Sequence, residues 1–396
     1  MPDLSNIGPD LLEAARGLQD ETVELRRAIH AEPELGLENP LTQKKVVEYL
    51  DGLGLDITLG ESLTSVVADL DSGKPGPTIL LRGDMDALPL QEDHVTDYQS
   101  TFEGKMHACG HDTHTAMLAS AARLLAENTS EFTGKVRFMF QPGEEGHHGA
   151  KYMIEEGLLD GVDKAFAIHI TPSAPNGMIS TRRGAILASA DRFEITVNGE
   201  GGHASAPHNA IDPIPPAAAM VGSLQTMMTR EIPATDPAVL TVARIEAGTT
   251  NNIIPASAFL EGTIRTYSET TRQTVLECLP RVATNLAWAH GCNCNADIIP
   301  GYPPTINDHE QAVHAGEVAS ALVGADDFVM LPDPIMAAED FSYVLNEVPG
   351  AMLMIGACPD DVSPAAAIPL HSNLMRLNED AFYRGVGLYA ALAIAG

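Results

Sequence analysis

Residues 135–146 read KVRFMFQPGEEG, and this stretch decides the fold. Lys135–Gln141 is an apolar run of strand length that ends in a proline–glycine turn carrying two adjacent glutamates. A short apolar run bounded by turn residues fits a strand buried on both faces. Working outward, Thr78–Arg82 (TILLR) and Lys164–Ile170 (KAFAIHI) have the same character. Ala116–Leu125, between the first two runs, is rich in helix formers. Upstream, Leu11–Ala31 and Asn39–Leu53 carry amphipathic helical spacing, with Pro40 suited to a first turn. Buried strands separated by helices predict an α/β domain on a mostly parallel sheet.

From about Leu187 the texture changes. Arg192–Asn198 (RFEITVN) alternates like a half-exposed strand, and a helix is expected within Pro213–Arg230. Strands near Val239–Glu246 and Ala256–Thr266, a helix over Glu269–His290 and a strand near Cys292–Ile299 complete the order β-α-β-β-α-β. That is the order of a ferredoxin-like α+β sandwich. After Pro300 the α/β texture returns, with Ala351–Gly356 (AMLMIG) as a buried strand. The expected design is a discontinuous domain, 1–186 plus 301–396, carrying an inserted domain over 187–300.

Composition narrows the function classes. The chain has 396 residues, 44% hydrophobic and 19% charged, which is globular and long enough for two domains. With 23 Lys and Arg against 54 Asp and Glu, the formal charge is −31, which argues against nucleic-acid and anionic-membrane partners. No apolar run reaches the roughly 18 residues of a membrane helix. The N-terminus (MPDLSNIGPDLLEAARGLQD) lacks the basic and apolar regions of a signal peptide, so the expected location is cytoplasmic. Five cysteines, an odd number spread thinly, point away from a disulfide scaffold.

Metal-capable side chains gather at expected strand ends and at a helix start. His107–His114 reads HACGHDTH, with Cys109 and His111 flanking Gly110, where the backbone can turn sharply. Glu144 and Glu145 stand side by side. On an extended backbone adjacent side chains point to opposite faces. One carboxylate could then ligate a metal while the other takes a proton from water, a division that metal hydrolysis needs. His169 interrupts an apolar strand, and His371 follows the run Ile368–Leu370 in a loop. Cys292 and Cys294 share one face of a strand and read as core packing. His147 and His148 read as solvated, and Asp112 and His114 as caps or buttresses of the helix.

Taken in order, these segments resemble the peptidase M20 family, in its amidohydrolase branch of hippurate hydrolases, auxin-conjugate hydrolases and N-acyl-amino-acid deacylases. The matching segments are LRRAIHAEPELG (25–36), RGDMDALP (82–89), HACGHDTH (107–114), FQPGEEG (140–146), AIHI (167–170), GEGGHASAPH (199–208), NNIIP (251–255), GTIRT (262–266), AAEDFS (337–342) and PLHS (369–372). They stand in family order over nearly the whole chain. The resemblance implies a di-metal catalytic domain and an inserted lid and dimerisation domain. It makes Cys109, His111, Glu145, His169 and His371 the ligands of two divalent ions, with Cys109 bridging. It makes Glu144 the general base, His203 the group that polarises the scissile carbonyl, Asn252 and Arg265 substrate contacts, and Asp86 an acid hydrogen-bonded to a ligand histidine. The thiolate suits zinc, while the other ligands also suit manganese, cobalt or nickel.

The implied reaction is hydrolysis of the linear amide of an N-acyl amino acid, releasing a carboxylic acid and a free amino acid, in a homo-oligomer paired through the inserted domain. A dipeptidase or carboxypeptidase of the same superfamily is the runner-up, followed by an inactive metal-binding homologue. A carboxylate in place of Cys109 would mark the peptidase branches.

Overall fold

The apolar runs become the centre of the first of two units. In a computed structural model describing residues 7–396, this unit runs to Gly184 and resumes over Ile306–Asp333 and Tyr343–Gly396. It opens with α1 (Pro9–Gly17) and α2 (Gln19–His30), where a single helix over Leu11–Ala31 was expected. Gly17 weakens the helix, and Leu18 leaves the helical region at φ −96°, ψ 2°. α3 (Pro40–Leu50) follows, with Pro40 in its first turn. The Glu34 carboxylate accepts the Leu41 and Thr42 amides at 3.1 and 2.8 Å, capping that helix from a distance.

Strands β1 (Asp56–Leu59), β2 (Val66–Asp71) and β3 (Thr78–Asp84) come next, then α4 (His111–Glu127), β4 (Lys135–Gln141), α5 (Gly149–Glu155), β5 (Lys164–Thr171) and β6 (Ile179–Thr181). β4 has the bounds read from sequence, and α4 opens at the metal-capable His111, within a residue or two of the capping positions read at Asp112 and Thr113. The chain passes along β7 (Gly184–Leu187) into the second unit, Ala185–Thr305 plus Pro334–Ser342. There β8 (Ala190–Asn198), β9 (Gly202–His203), α6 (Ile214–Glu231), β10 (Ala238–Ala247), β11 (Ile253–Ile254), β12 (Ser257–Thr266), α7 (Glu269–Ala289) and β13 (Asn293–Tyr302) follow one another. Four of these strands form an antiparallel sheet in the order β10-β12-β8-β13, the ferredoxin-like arrangement. Phe193, Ile195, Leu260 and Ile264 pack from its inner face onto Met220, Leu224, Leu279 and Ala283 of the two helices.

β14 (Thr305–Asn307), α8 (His309–Val323), β15 (Phe328–Met330), α9 (Ser342–Glu347), β16 (Gly350–Gly356) and α10 (Phe382–Ala395) complete the chain. The large sheet has the order β1-β2-β4-β3-β5-β16-β6-β15. Its β4-β3-β5-β16 centre is parallel, with antiparallel pairs at β1-β2-β4 and β16-β6. The segment 334–342, which the sequence reading left in the first domain, groups with the second unit. Its backbone is tied there by Ile335 N to Ile186 O at 2.9 Å and Ala188 N to Ala337 O at 2.8 Å. Among the described residues no helix is long and apolar enough to cross a membrane. Part of the N-terminal stretch read for a signal, residues 1–6, lies outside the described residues.

A buried ionic network fastens α2 to the start of α4. Asp112 accepts from His30 Nδ1 at 2.7 Å and forms an ion pair with Arg26, whose Nε is also 2.7 Å away, and His30 Nε2 lies 3.0 Å from Glu92. Two carboxylate acceptors require both His30 nitrogens to carry protons. Burial and the Arg26 charge press the His30 pKa down, but Asp112 and Glu92 outweigh them and raise it. Removing one partner strands a buried charge, so Arg26→Met should lower the unfolding free energy by about 3–5 kcal/mol. A loss under about 1 kcal/mol in chemical denaturation would overturn that role. The raised folded-state pKa makes the His30 contribution full below about pH 6.5 and lost as pH rises through the folded value. The stability gap between the parent and His30→Gln should therefore shrink at alkaline pH; a gap flat with pH would count against a charged His30.

Candidate metal centre

Parallel strands deliver their C-terminal ends to one edge of the sheet, and three of them carry the candidate groups. β3 pairs in parallel with both β4 and β5. Past β3 come Met85 and Asp86, past β4 the turn with Glu144 and Glu145, and near the end of β5 stands His169. The loop before α4 supplies Cys109 and Gly110, and the helix opens on His111. Gly110 adopts φ 88°, and a Cβ there would stand 2.5 Å from Ile170 Cγ2. Only glycine allows this loop to close on β5 while holding that conformation.

The histidines are oriented by backbone carbonyls. His111 Nδ1 donates to the Asp86 carbonyl oxygen at 2.9 Å, which in the neutral ring leaves the lone pair on Nε2. That Nε2 is buried, with no hydrogen-bond partner among the described residues and Asp84 Oδ2 3.3 Å away. His169 Nδ1 donates to the Ile170 carbonyl at 2.7 Å, and its Nε2 lies 3.5 Å from Cys109 Sγ. His371 has φ 65°, a left-handed conformation that costs a non-glycine residue roughly 1–2 kcal/mol. Its amide is held by the Ala108 carbonyl at 2.8 Å, and its Nε2 lies 3.1 Å from Glu145 Oε1.

These five residues meet. The ligand-capable atoms of Cys109, His111 and His169 lie within 4.8 Å of one another, and so do those of Cys109, Glu145 and His371. Cys109 is common to both groups. His111, Glu144 and Glu145 form a third group of the same spacing, so the two glutamates are not sent to opposite faces. They stand in a turn beyond β4, where strand alternation no longer applies.

Asp86 acts differently from the expectation. Its carbonyl, not its carboxylate, takes the His111 Nδ1 proton at 2.9 Å, while the carboxylate lies 3.5 Å from that nitrogen. The carboxylate instead accepts the amides of Glu144 and Glu145, at 2.9 and 3.0 Å, and so fixes the turn that aims them. Sequence reasoning missed the part played by Asp84. It accepts from His114 Nδ1 at 2.6 Å, while His114 Nε2 accepts the Ile170 amide at 2.7 Å. Both His114 nitrogens are thereby occupied, and the ring ties α4 to β3 and β5. The only sequence signal was the spacing Asp84-Met85-Asp86 at a strand end. His148, read as solvated, is partly buried with Nδ1 2.9 Å from Tyr343 Oη.

Charge in the cluster is set by burial and by neighbours. Burial pushes the Cys109 thiol up and the His169 imidazole down. Burial also opposes charge on His111, but Asp84 and Cys109 prevail and raise its pKa well above the usual value. Hydrogen bonding to Cys109 and to Glu145 raises His371 to about 10. For Glu145, burial works upward, yet His371 and His111 bring the net shift down. A thiol, three imidazoles and a carboxylate around the unsatisfied His111 Nε2 fit divalent transition-metal ions. A bound cation would ionise the thiol in spite of its burial.

The remaining candidates belong to the second unit. His203 ends β9, and Asn252 precedes β11, the strand that pairs with β9. Asn252 O accepts the Ala204 amide at 3.1 Å, so these two residues are neighbours through the backbone. Arg265, on β12, is partly buried and makes no hydrogen bond or ion pair among the described residues. Burial lowers its pKa. Cys292 is buried and counted in the core of this unit, against which Cys294 packs.

The chain is similar to known proteins over nearly its whole length. The family model described as Peptidase family M20/M25/M40 matches residues 80–395. Thermostable carboxypeptidase 2 of Saccharolobus solfataricus is 38% identical, covering 97% of this chain and 98% of its own. IAA-amino acid hydrolase ILR1-like 2 of Arabidopsis thaliana is 37% identical over 99% of this chain and 89% of its own. A crystal structure of a Bacillus subtilis dinuclear metal binding peptidase from the M20 family superposes with a TM-score of 0.83 at 33% identity, covering 96% of this chain and 98% of that one.

The two hydrogen bonds that the Asp86 carboxylate accepts from the Glu144 and Glu145 amides give a test that does not involve catalysis. Asp86→Asn keeps the side-chain volume but loses an acceptor oxygen. Metal affinity should fall by about 10–100-fold, read by competition with a chromogenic chelator. Unchanged affinity would mean that the Glu144–Glu145 turn holds its place without this clamp.

Proposed function

This chain belongs to peptidase family M20/M25/M40, and we propose that its reaction is hydrolysis of the amide bond of N-acyl amino acids, releasing a carboxylic acid and a free amino acid. The observation that carries this reading is the convergence of Cys109, His111, Glu145, His169 and His371, with the Glu144 carboxylate beside them. In the proposal those five residues would hold two divalent ions, zinc or manganese first, with cobalt or nickel as alternatives. When bound, such ions polarise a carbonyl oxygen and lower the pKa of water.

The chain's own groups do the rest. Glu144 takes a proton from the attacking water and later returns it to the departing amine. His203 donates a hydrogen bond to the carbonyl oxygen as negative charge builds there. Asn252 contacts the substrate, and Arg265 pairs with its α-carboxylate through the planar guanidinium fork. A guanidinium without a partner of its own suits that role, and local positive charge is needed to attract an anion to a chain of formal charge −31. The second unit thus serves substrate binding, and we place homodimerisation there as well. β10 is an edge strand of its sheet, largely exposed, with Ile245 51% accessible, and an unpaired edge of this kind is suited to pairing with another copy.

A carboxypeptidase is the second reading, favoured by the 38% identity to a thermostable carboxypeptidase. An N-acyl amino acid and the C-terminal end of a peptide present the same amide and carboxylate, and they differ in whether the acyl side carries a free amine. A panel of N-acetyl, N-benzoyl and indole-acetyl amino acids set against free-amine dipeptides separates the readings. Hydrolysis of the dipeptides alone would overturn ours.

Glu144→Gln should retain both metal ions and lose about 10²–10⁴-fold in kcat. Hydrolysis by that variant at the parent rate would show that the base lies elsewhere. Arg265→Met should raise KM for carboxylated substrates while leaving it nearly unchanged for the corresponding amino-acid amides; an equal change for both would remove Arg265 from the carboxylate.

A further inference from the structure

His203 is held in one tautomer by the residue two places along the chain. It closes β9 opposite Ile253 of β11. The backbone then turns back, with Ala206 N bonded to the His203 carbonyl at 2.8 Å. Inside this turn two donors converge on one ring nitrogen. The Ser205 amide lies 3.1 Å from His203 Nδ1, and the Ser205 hydroxyl lies 2.8 Å from the same atom. A backbone N–H can only donate, so Nδ1 must present a lone pair. In a neutral imidazole the proton then resides on Nε2. Among the described residues Nε2 has no hydrogen-bond partner, and the side chain is exposed.

We infer that Ser205 is a positioning residue that sets His203 as the Nε2–H tautomer, with that N–H facing outward as a ready donor. The inference rests on the reading of His203 as the group that stabilises the carbonyl oxygen. A donor already in place avoids reorganisation as charge develops. The opposite tautomer would turn a lone pair toward that negative oxygen and repel it. Within the turn Ala204-Ser205-Ala206-Pro207, Ser205 is the only residue whose side chain can donate a hydrogen bond. The amide at 205 would be present with any residue but proline. The shorter of the two contacts, from the hydroxyl, is specific to serine or threonine.

Long-range ¹H–¹⁵N correlation spectra of histidine-labelled protein read the tautomer without reference to activity, with His203→Gln identifying the signal among the 14 histidines. The parent should show Nε2 protonated and Nδ1 bare. Ser205→Ala should populate the Nδ1–H form. In metal-loaded enzyme, Ser205→Ala should lower kcat by roughly threefold to tenfold, the size of one neutral hydrogen bond, with KM little changed, and Ser205→Thr should restore it. An Nδ1–H parent, or a Ser205→Ala protein with unaltered tautomer and kcat, overturns the inference. His203→Ala is measured alongside. If His203→Ala hydrolyses substrate at the parent rate, it is the role of His203 in the reaction that fails. If His203→Ala is crippled while Ser205→Ala is not, only the role of Ser205 fails.

Discussion

Two backbone carbonyls set the chemistry of the site. Asp86 O takes the Nδ1 proton of His111, and Ile170 O takes that of His169. In the neutral ring each bond leaves Nε2 with a lone pair. Those carbonyls sit where they do because β3 and β5 end side by side in a parallel sheet. The orientation of a metal-capable imidazole is thus inherited from the register of the sheet rather than from the side chain. Asp86 extends the principle by binding the amides of Glu144 and Glu145 while its own carbonyl holds His111. One residue at the end of β3 therefore governs two of the segments that meet at the centre.

The same scaffold explains how a cluster so rich in ionisable groups stays folded. His114 has both nitrogens occupied, between the Asp84 carboxylate and the Ile170 amide. Arg26 and His30 flank Asp112, the residue next to His111, and Glu92 pairs with the other nitrogen of His30. Each buried charge in that shell has an opposite charge within hydrogen-bond distance, which is the condition for tolerating it in a low-dielectric interior. At the centre, His111 Nε2, Asp84 Oδ2 and Glu145 Oε1 are buried with no hydrogen-bond partner among the described residues. Such an imbalance suits a site that binds cations more than one that serves only packing.

Much of the candidate site was legible as residue types at particular places. The Cys109-Gly110-His111 spacing, the paired glutamates after an apolar strand and a histidine inside a buried strand are each weak alone. They gain force because each falls at a strand end or a helix start in the same α/β pattern. His371 was the least legible candidate from its surroundings, since no strand runs directly up to it and its left-handed backbone is held by a contact to Ala108, far away in sequence. The work of Asp84 and Asp86 was hidden for a related reason. Their partners lie roughly 30 to 60 residues away, and which oxygen meets which donor depends on strand-end geometry.

The sequence by itself determined which segments would be strands and helices, and that an α+β unit interrupts a mostly parallel α/β unit. Hydrophobic periodicity and turn residues are local, so they can be read along the chain. It also determined which side chains had the chemistry to bind metal or move a proton. Only the tertiary structure decided that α1 and α2 are separate helices, that 334–342 groups with the second unit, and that both glutamates turn toward His111. It alone decided that Nδ1 of His111 and of His169 faces a backbone carbonyl. Those outcomes rest on hydrogen bonds between residues far apart in sequence, and no local pattern encodes the distance at which two strand ends come to rest.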